Sequence, residues 1–277
     1  MSERGNGISM ETKRNAFANA LRDWRSKRGM SQIALAMAAE TTQRHVSFIE
    51  SGRSLPGKGM IIRLAEALDL PLRGRNALLL AAGYAPAYRE TRFDDPRLGP
   101  LRHALEHILA AHLPYPAVIV DGHGDLVAGN EAFRSLTVTV APELLVPPVS
   151  IPRLLLHPKG MAPRIINLDT WAWHVIEALS REEERHPSER REALIAELEA
   201  IIPKRPSASS SEYVGLAVPL RLSSSEGELQ LLTTLTRFGT AEDVTIGELR
   251  LEAFLPADEA TASVLARTAR QWQRETV

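Results

Sequence analysis

Apolar residues recur at helical spacing along the first part of the chain. Phe17, Leu21 and Trp24 stand at i, i+4 and i+7, one face of a helix that Gly29 closes. Ser31 is a good N-cap for a second helix, whose buried face the pattern assigns to Ile33, Leu35, Ala36 and Ala39. Thr41-Thr42 restarts the chain, and Val46 and Ile49 mark the inner side of a third helix that Gly52 stops. After a Pro56-Gly57 turn, Ile61, Leu64, Ala65 and Leu68 predict a fourth amphipathic helix, and Pro71 opens a fifth through residues 76–82. A helical unit over residues 14–83 follows, behind a polar, flexible N-terminal tail at 1–13.

The pattern then changes. Residues 84–100, rich in Pro, Gly and charge, read as a linker into a second domain over 101–277. Leu101, Leu105, Ile108 and Leu109 predict a helix ended by Pro114. The runs 117–120 and 126–128 bracket Asp121-Gly122-His123-Gly124-Asp125, a hairpin signal, and Asn130 caps a short helix with Phe133. Pro-rich connections occupy 142–152, and helices are expected over 167–180 and 188–202, the second capped by Ser188. A low-complexity loop at 203–211 precedes a second hairpin, 214–222 with 228–237. A further strand is expected at 248–254, and a terminal helix starting at Pro256 and Asp258. The fold class is an all-α N-terminal domain followed by an α+β domain, an antiparallel sheet with flanking helices.

Composition narrows the chemistry. Of 277 residues 44% are hydrophobic and 24% charged, the balance of a folded soluble protein. With no cysteine, disulfides, thiolate metal sites and thiol catalysis are excluded, and a cytoplasmic location is expected. No signal peptide or membrane span is apparent. The net charge of −1 conceals an asymmetry: residues 1–92 hold 15 basic and 8 acidic side chains, the remainder 18 and 26. A basic front and an acidic back suggest a nucleic-acid module joined to something else.

Two helices joined by a tight turn need a small residue at their crossing and apolar pins behind the second helix. Ala36 is the small residue and Val46 and Ile49 the pins, which leaves Thr42, Gln43, Arg44, Ser47 and Phe48 on or near the free face. Ser31-Gln32-x-x-Leu35-Ala36, followed by Thr42-x-x-x-Val46-Ser47-x-Ile49-Glu50-x-Gly52-Arg53-x-x-Pro56, resembles the phage-repressor (Xre-type) helix-turn-helix. The resemblance implies that the helix from Thr42 enters the major groove of double-stranded DNA, with Gln43, Arg44 and Ser47 at base edges. Ser31, Gln32, Thr42 and Arg53 would cap helices or hold phosphates. Glu40 departs from the pattern, standing where Gly is common. A non-Gly residue at positive φ costs on the order of 1 kcal/mol, so a differently shaped turn is expected there. Phe48 has two readings, a thymine methyl contact or packing against a neighbouring helix.

In the second domain, YPAVIVDGHGDLVAGNEAF at 115–133 resembles the opening of a PAS-type sensor. With Leu156-His157-Pro158-x-Gly160, Pro163-Arg164-x-x-Asn167, Trp171 and Phe238-Gly239-Thr240-x-x-Asp243, it resembles the MmyB-like ligand-binding domain, a PAS-like module. That resemblance implies a cavity between sheet and helices and a fatty-acyl ligand. Phe133, Trp171, Phe238 and Phe254 are wall candidates, and His157, Arg164 and His174 are candidate anchors for an anionic head group.

Rival chemistry is thin. His103 and His107 stand at i, i+4 with His112 nearby, a spacing open to metal but equally to exposed histidines, and no metal is assigned. Haem would require one axial histidine such as His157 or His174, and no cofactor is assigned. No nucleophile elbow, phosphate loop or dinucleotide fingerprint is present, so the reading is not an enzyme. The function expected from the two resemblances is a homodimeric, DNA-binding transcription regulator on a pseudopalindromic operator. A small amphipathic ligand in the second domain would reposition the DNA heads through the linker. The alternatives are a DNA-tethered enzyme with its site near His157–Trp171, or a constitutive regulator whose second domain only dimerises.

Overall fold

The computed structural model describes residues 10–185, 187–202, 218–238 and 241–275. The helical periodicity of the N-terminal part becomes α1 (Met10–Lys27), α2 (Gln32–Ala38), α3 (Gln43–Glu50), α4 (Lys58–Ala67) and α5 (Leu72–Ala81). Their apolar stripes meet in one core that includes Phe17, Leu21, Leu35, Val46, Ile49, Ile61, Leu64 and Leu78. One expected core residue is absent from it: Ile33 is 52% exposed. It lies two positions before Leu35, about 200° away around the helix, and so points outward when Leu35 points in.

The Ser31 hydroxyl accepts from the Ala34 N–H at 3.1 Å, and the Thr42 hydroxyl from the His45 N–H at 3.2 Å, so both helices of the pair are capped as expected. Between them the turn keeps the left-handed geometry without glycine. Glu40 has φ 51°, its N–H donates to the Met37 carbonyl at 3.2 Å, and the Thr41 N–H donates to the Ala36 carbonyl at 2.9 Å. These are the two bonds of a Schellman closure. The differently shaped turn expected from Glu40 is therefore not found: two backbone bonds hold the residue at positive φ against its steric preference. Gly52 closes α3 in the same way, at φ 71°.

The following residues form α6 (Gly99–Ala111), β1 (Ala117–Val120), β2 (Leu126–Gly129), α7 (Glu131–Leu136), α8 (Ile151–Leu156), α9 (Leu168–Arg185) and α10 (Glu189–Ile201). After them come β3 (Leu220–Ser224), β4 (Gly227–Arg237), α11 (Val244–Glu248), β5 (Arg250–Pro256) and α12 (Glu259–Glu275). The strands make one antiparallel sheet in the order β2-β1-β5-β4-β3, so the last strand in sequence joins the two hairpins. Ala117, Ile119, Leu251 and Ala253 on one face pack with Leu105 and Leu109 of α6. Val118, Val120 and Phe254 on the other pack with residues of α7 to α10. Asn130 locks a corner: its Oδ1 accepts from the N–H groups of Ala117 and Phe133, and its Nδ2 donates to the carbonyls of Leu109 and Tyr115.

Several local readings change. α8 forms within the stretch read as Pro-rich connection, because Pro152 sits in its first turn, where a missing N–H costs nothing. Ser188 precedes α10 but makes no side-chain cap bond; its N–H donates to Glu183 at 2.7 Å. Pro256 ends β5, and Asp258 opens α12 by accepting from the Thr261 N–H at 2.7 Å. The expected loop at 203–211, the start of the predicted strand at 214–217 and residues 1–9 of the tail lie outside the described residues.

Two compact units result, Met1–Thr91 with Thr240–Gly247, and Arg92–Gly239 with Glu248–Val277. The β4–β5 connection thus belongs to the helical unit. There the Asp243 carboxylate accepts from the Thr91 hydroxyl at 2.6 Å and from the Thr245 N–H at 2.9 Å, and the Val244 N–H donates to the Arg89 carbonyl at 2.8 Å. Within the stretch read as linker, the Ala87 and Tyr88 N–H groups donate to the Asn76 side chain.

Candidate functional site

Gln43 and Arg44 are exposed on the first turn of α3, and Ser47 is half-buried one turn on. Phe48 lies between cations: the Arg44 and Arg53 guanidiniums stand 5.2 and 5.8 Å from its ring centroid. Phe48 thus offers its half-buried ring to both guanidiniums. Thr42 and Ser31 are exposed at the N-termini of α3 and α2, where backbone N–H groups point outward. Among the described residues, these elements present donors and two guanidiniums on one edge.

A buried acid behind that edge holds α3 in place. Glu50 is 2% exposed; its carboxylate accepts from Arg25 Nε at 2.6 Å, Arg25 Nη2 at 3.0 Å and Gln32 Nε2 at 2.9 Å. Arg22 donates to the Glu50 carbonyl. Burial works to raise the Glu50 pKa, but the bonds from Arg25 and Gln32 and the charges of Arg25 and Arg22 outweigh it, and the net displacement is downward. Gln32 thus has an internal partner in addition to its place at the start of α2. Nothing in the apolar periodicity marks Glu50 as buried; its place after Ile49 in the motif is the only sequence signal.

In the second unit a cavity of about 380 Å³ lies between α9 and the inner face of β4 and β5. Helical spacing on α9 turns Trp171, His174, Val175, Ala178 and Glu182 toward it. On β5 the inward positions are Phe254, Glu252 and Arg250, and the register sets Thr233, Leu235 and Arg237 of β4 beside them. The wall is graded along the strands, apolar near Phe254 and cationic near Arg250, about 13 Å apart at the rise of a β-strand.

At the cationic end Arg237 pairs with Glu182 at 3.2 Å, and Arg250 donates weakly to the Asp121 carbonyl at 3.4 Å. Arg250 Nε is buried with no partner among the described residues, a donor that an anion can satisfy. Arg191, 8% exposed, is fixed by Glu183 and by the Gly122 carbonyl. Glu252 is half-buried, with Val118 and Leu235 as its cross-strand neighbours. Its carboxyl makes no hydrogen bond or ion pair among the described residues. Burial raises its pKa above the ordinary carboxylate range, and nearby Arg250 opposes this without reversing it.

Of the residues expected at such a cavity, Trp171, His174 and Phe254 line it. Phe133 is 3% exposed and stacks on Phe254 at 6.3 Å between centroids, within the core. Phe238 packs with the α6 cluster on the other sheet face. His157 accepts from the Lys159 N–H at 3.0 Å. Arg164 donates to the carbonyls of Leu136 at 2.7 Å and Ser223 at 3.2 Å, and burial lowers its pKa. The alternation of β5 signals that Arg250, Glu252 and Phe254 share a face. The sequence marks Phe254 on that face as a wall candidate but not Arg250 or Glu252, because the helix covering them lies some 70 residues earlier.

His103 and His107 approach to 2.9 Å between Nε2 atoms on exposed α6, and His112 is tied to the Ile108 carbonyl. Among the described residues no group of three or more metal-ligating side chains is assembled, and no helix is long and apolar enough to cross a membrane.

Comparison with known proteins gives two family matches. Residues 21–74 match the helix-turn-helix family, and residues 101–267 match the MmyB-like transcription regulator ligand binding domain. No curated protein matches. A solved structure described as an RNA-binding Light-Oxygen-Voltage Receptor is similar at 15% identity and a TM-score of 0.24, covering 95% of this chain. The chain spans 64% of the length of that structure.

Proposed function

The chain belongs to the family of the MmyB-like transcription regulator ligand-binding domain, behind a helix-turn-helix, and from that premise we propose a regulator whose hold on DNA responds to an amphipathic ligand. The observation that carries the DNA half is the edge of α3: Gln43 and Arg44 point outward while Glu50 ties the other end of the helix to α1 and α2. Gln43, Arg44 and Ser47 would meet base edges, with Ser31, Gln32, Thr42 and Arg53 at the backbone. One short helix buries little surface, so a homodimer on a pseudopalindromic operator in the cytoplasm is part of the reading.

The graded cavity supports the ligand half. An apolar, fatty-acyl body would lie against Phe254 and Trp171, with an anionic head beside Arg250 and Arg237. The strands that bear both arginines run on into residues 241–247, which belong to the helical unit, so a ligand that shifts these strands acts on a segment of that unit. Regulation requires the ligand to prefer one arrangement of the DNA heads.

Arg44→Ala tests the DNA assignment. Its expected result is a loss of about 1–3 kcal/mol in operator binding with relaxed preference at one base pair. An equal loss on every sequence would make Arg44 a phosphate contact. Footprinting with and without lipid extracted from the purified protein tests control by ligand, and identical protection in both refutes it.

A further inference from the structure

The cavity contains a polar group that a simple apolar acid leaves unused. Glu252 projects from β5 into the wall between Val118 and Leu235, with Phe254 on one side along the strand and Arg250 on the other. A half-buried carboxyl lining a cavity offers its oxygens as hydrogen-bond acceptors to whatever enters. Asn130 and Glu50, both at most 5% exposed, have all their needs met inside the protein. Glu252 has no such bond among the described residues.

We propose that Glu252 is a specificity determinant that reads a hydroxyl carried by the ligand close to its anionic head group, so that the cavity selects hydroxylated acyl acids over unsubstituted ones. The proposal rests on the acyl-ligand reading above and deepens it. Position argues for the hydroxyl being near the head: Arg250 and Glu252 are two residues apart on one strand face, about 7 Å along it. A head group on the arginines therefore brings the next few ligand atoms past the Glu252 carboxyl.

Charge argues for a neutral donor over an ammonium. The cationic end holds Arg237, Arg250, Arg181 and Arg185 against Glu182, and a cation placed beside Glu252 would meet Arg250 at once. A hydroxyl meets no such repulsion, and it can donate to a carboxylate or accept from a protonated carboxyl. The raised Glu252 pKa agrees with a site prepared for an uncharged partner. Thr233 and Leu235 on β4 are exposed among the described residues, which gives the substituent room beside Glu252.

The test uses the full-length protein stripped of bound lipid, with tetradecanoate and 3-hydroxytetradecanoate as probes in calorimetric titrations. The expected result is at least about tenfold tighter binding of the hydroxylated acid, since a site built to hydrogen-bond a hydroxyl discriminates against the analogue without it. Glu252→Leu should erase or reverse that preference, and Glu252→Gln, which keeps donor and acceptor atoms, should retain part of it. Equal affinities in the wild type overturn the proposal, as does a preference that persists in a folded Glu252→Leu protein. Binding of both acids with equal strength leaves the acyl-ligand reading standing. Binding of neither removes that reading and this proposal together.

Discussion

Two glutamates, Glu50 buried in the helical unit and Glu252 half-buried in the sheet unit, are displaced in opposite directions. Glu50 has two bonds from Arg25 and one from Gln32, and its pKa is displaced downward although burial opposes this. Glu252 has Arg250 nearby but no bond among the described residues, and burial displaces it upward. Burial alone therefore does not determine what an acid does; the inventory of donors around it does. A satisfied acid fixes the geometry of its neighbours, here the helix that presents Gln43 and Arg44. An unsatisfied one lining a cavity is available to something that enters.

The comparison breaks most readily at Glu50. Replacing it by Ala strands Arg25 and Gln32, and a loss of about 3–5 kcal/mol in urea unfolding is expected. A loss below about 1 kcal/mol would show that Glu50 is not the clamp of α3. Glu252→Leu should act in the opposite direction on the ligand-free protein, raising stability by about 1 kcal/mol through removal of an unpaired polar group from an apolar wall. A destabilised Leu variant would mean that Glu252 has a partner after all.

Acidity sharpens the same contrast. Because the folded-state pKa of Glu50 is lowered, its contribution is fully present above the unfolded value near 4.5 and is lost as the pH falls through the folded value. Because that of Glu252 is raised, its contribution is present below the unfolded value and is lost as the pH rises through the folded one. Glu50→Gln should therefore begin as a deficit at neutral pH, and Glu252→Gln as a gain. Both differences should shrink on acidification, as unfolding midpoints measured across the range will show. Parallel signs would refute the contrast. The smallest effect concerns backbone strain in the helical unit: Glu40→Gly should add about 0.5–1 kcal/mol, and no gain would mean that the turn holds Glu40 without cost.

The helical unit was largely legible in the sequence. Its caps, Ser31 and Thr42, and its core positions, Leu35, Val46 and Ile49, are local signals read at helical spacing. Ile33 was misassigned because the reading counted its apolarity and not its angle around the helix. In the second unit the two hairpins were legible, each being closed by a local turn. The pairing of β1 with β5 was not, since it joins residues 130 or more positions apart. Without that pairing the cavity cannot be drawn: of the three expected anchors only His174 lines it, while His157 and Arg164 bond within the fold.

By itself the sequence determined the helix-turn-helix, its outward residues and the two hairpins behind it, because capping, periodicity and turn chemistry act between residues a few positions apart. The tertiary structure alone decided that Glu50 has donors, that Glu252 has none among the described residues, and that Arg250 lines a cavity. Those outcomes depend on which distant element covers a side chain, and desolvation has no signature along the chain until that covering is known.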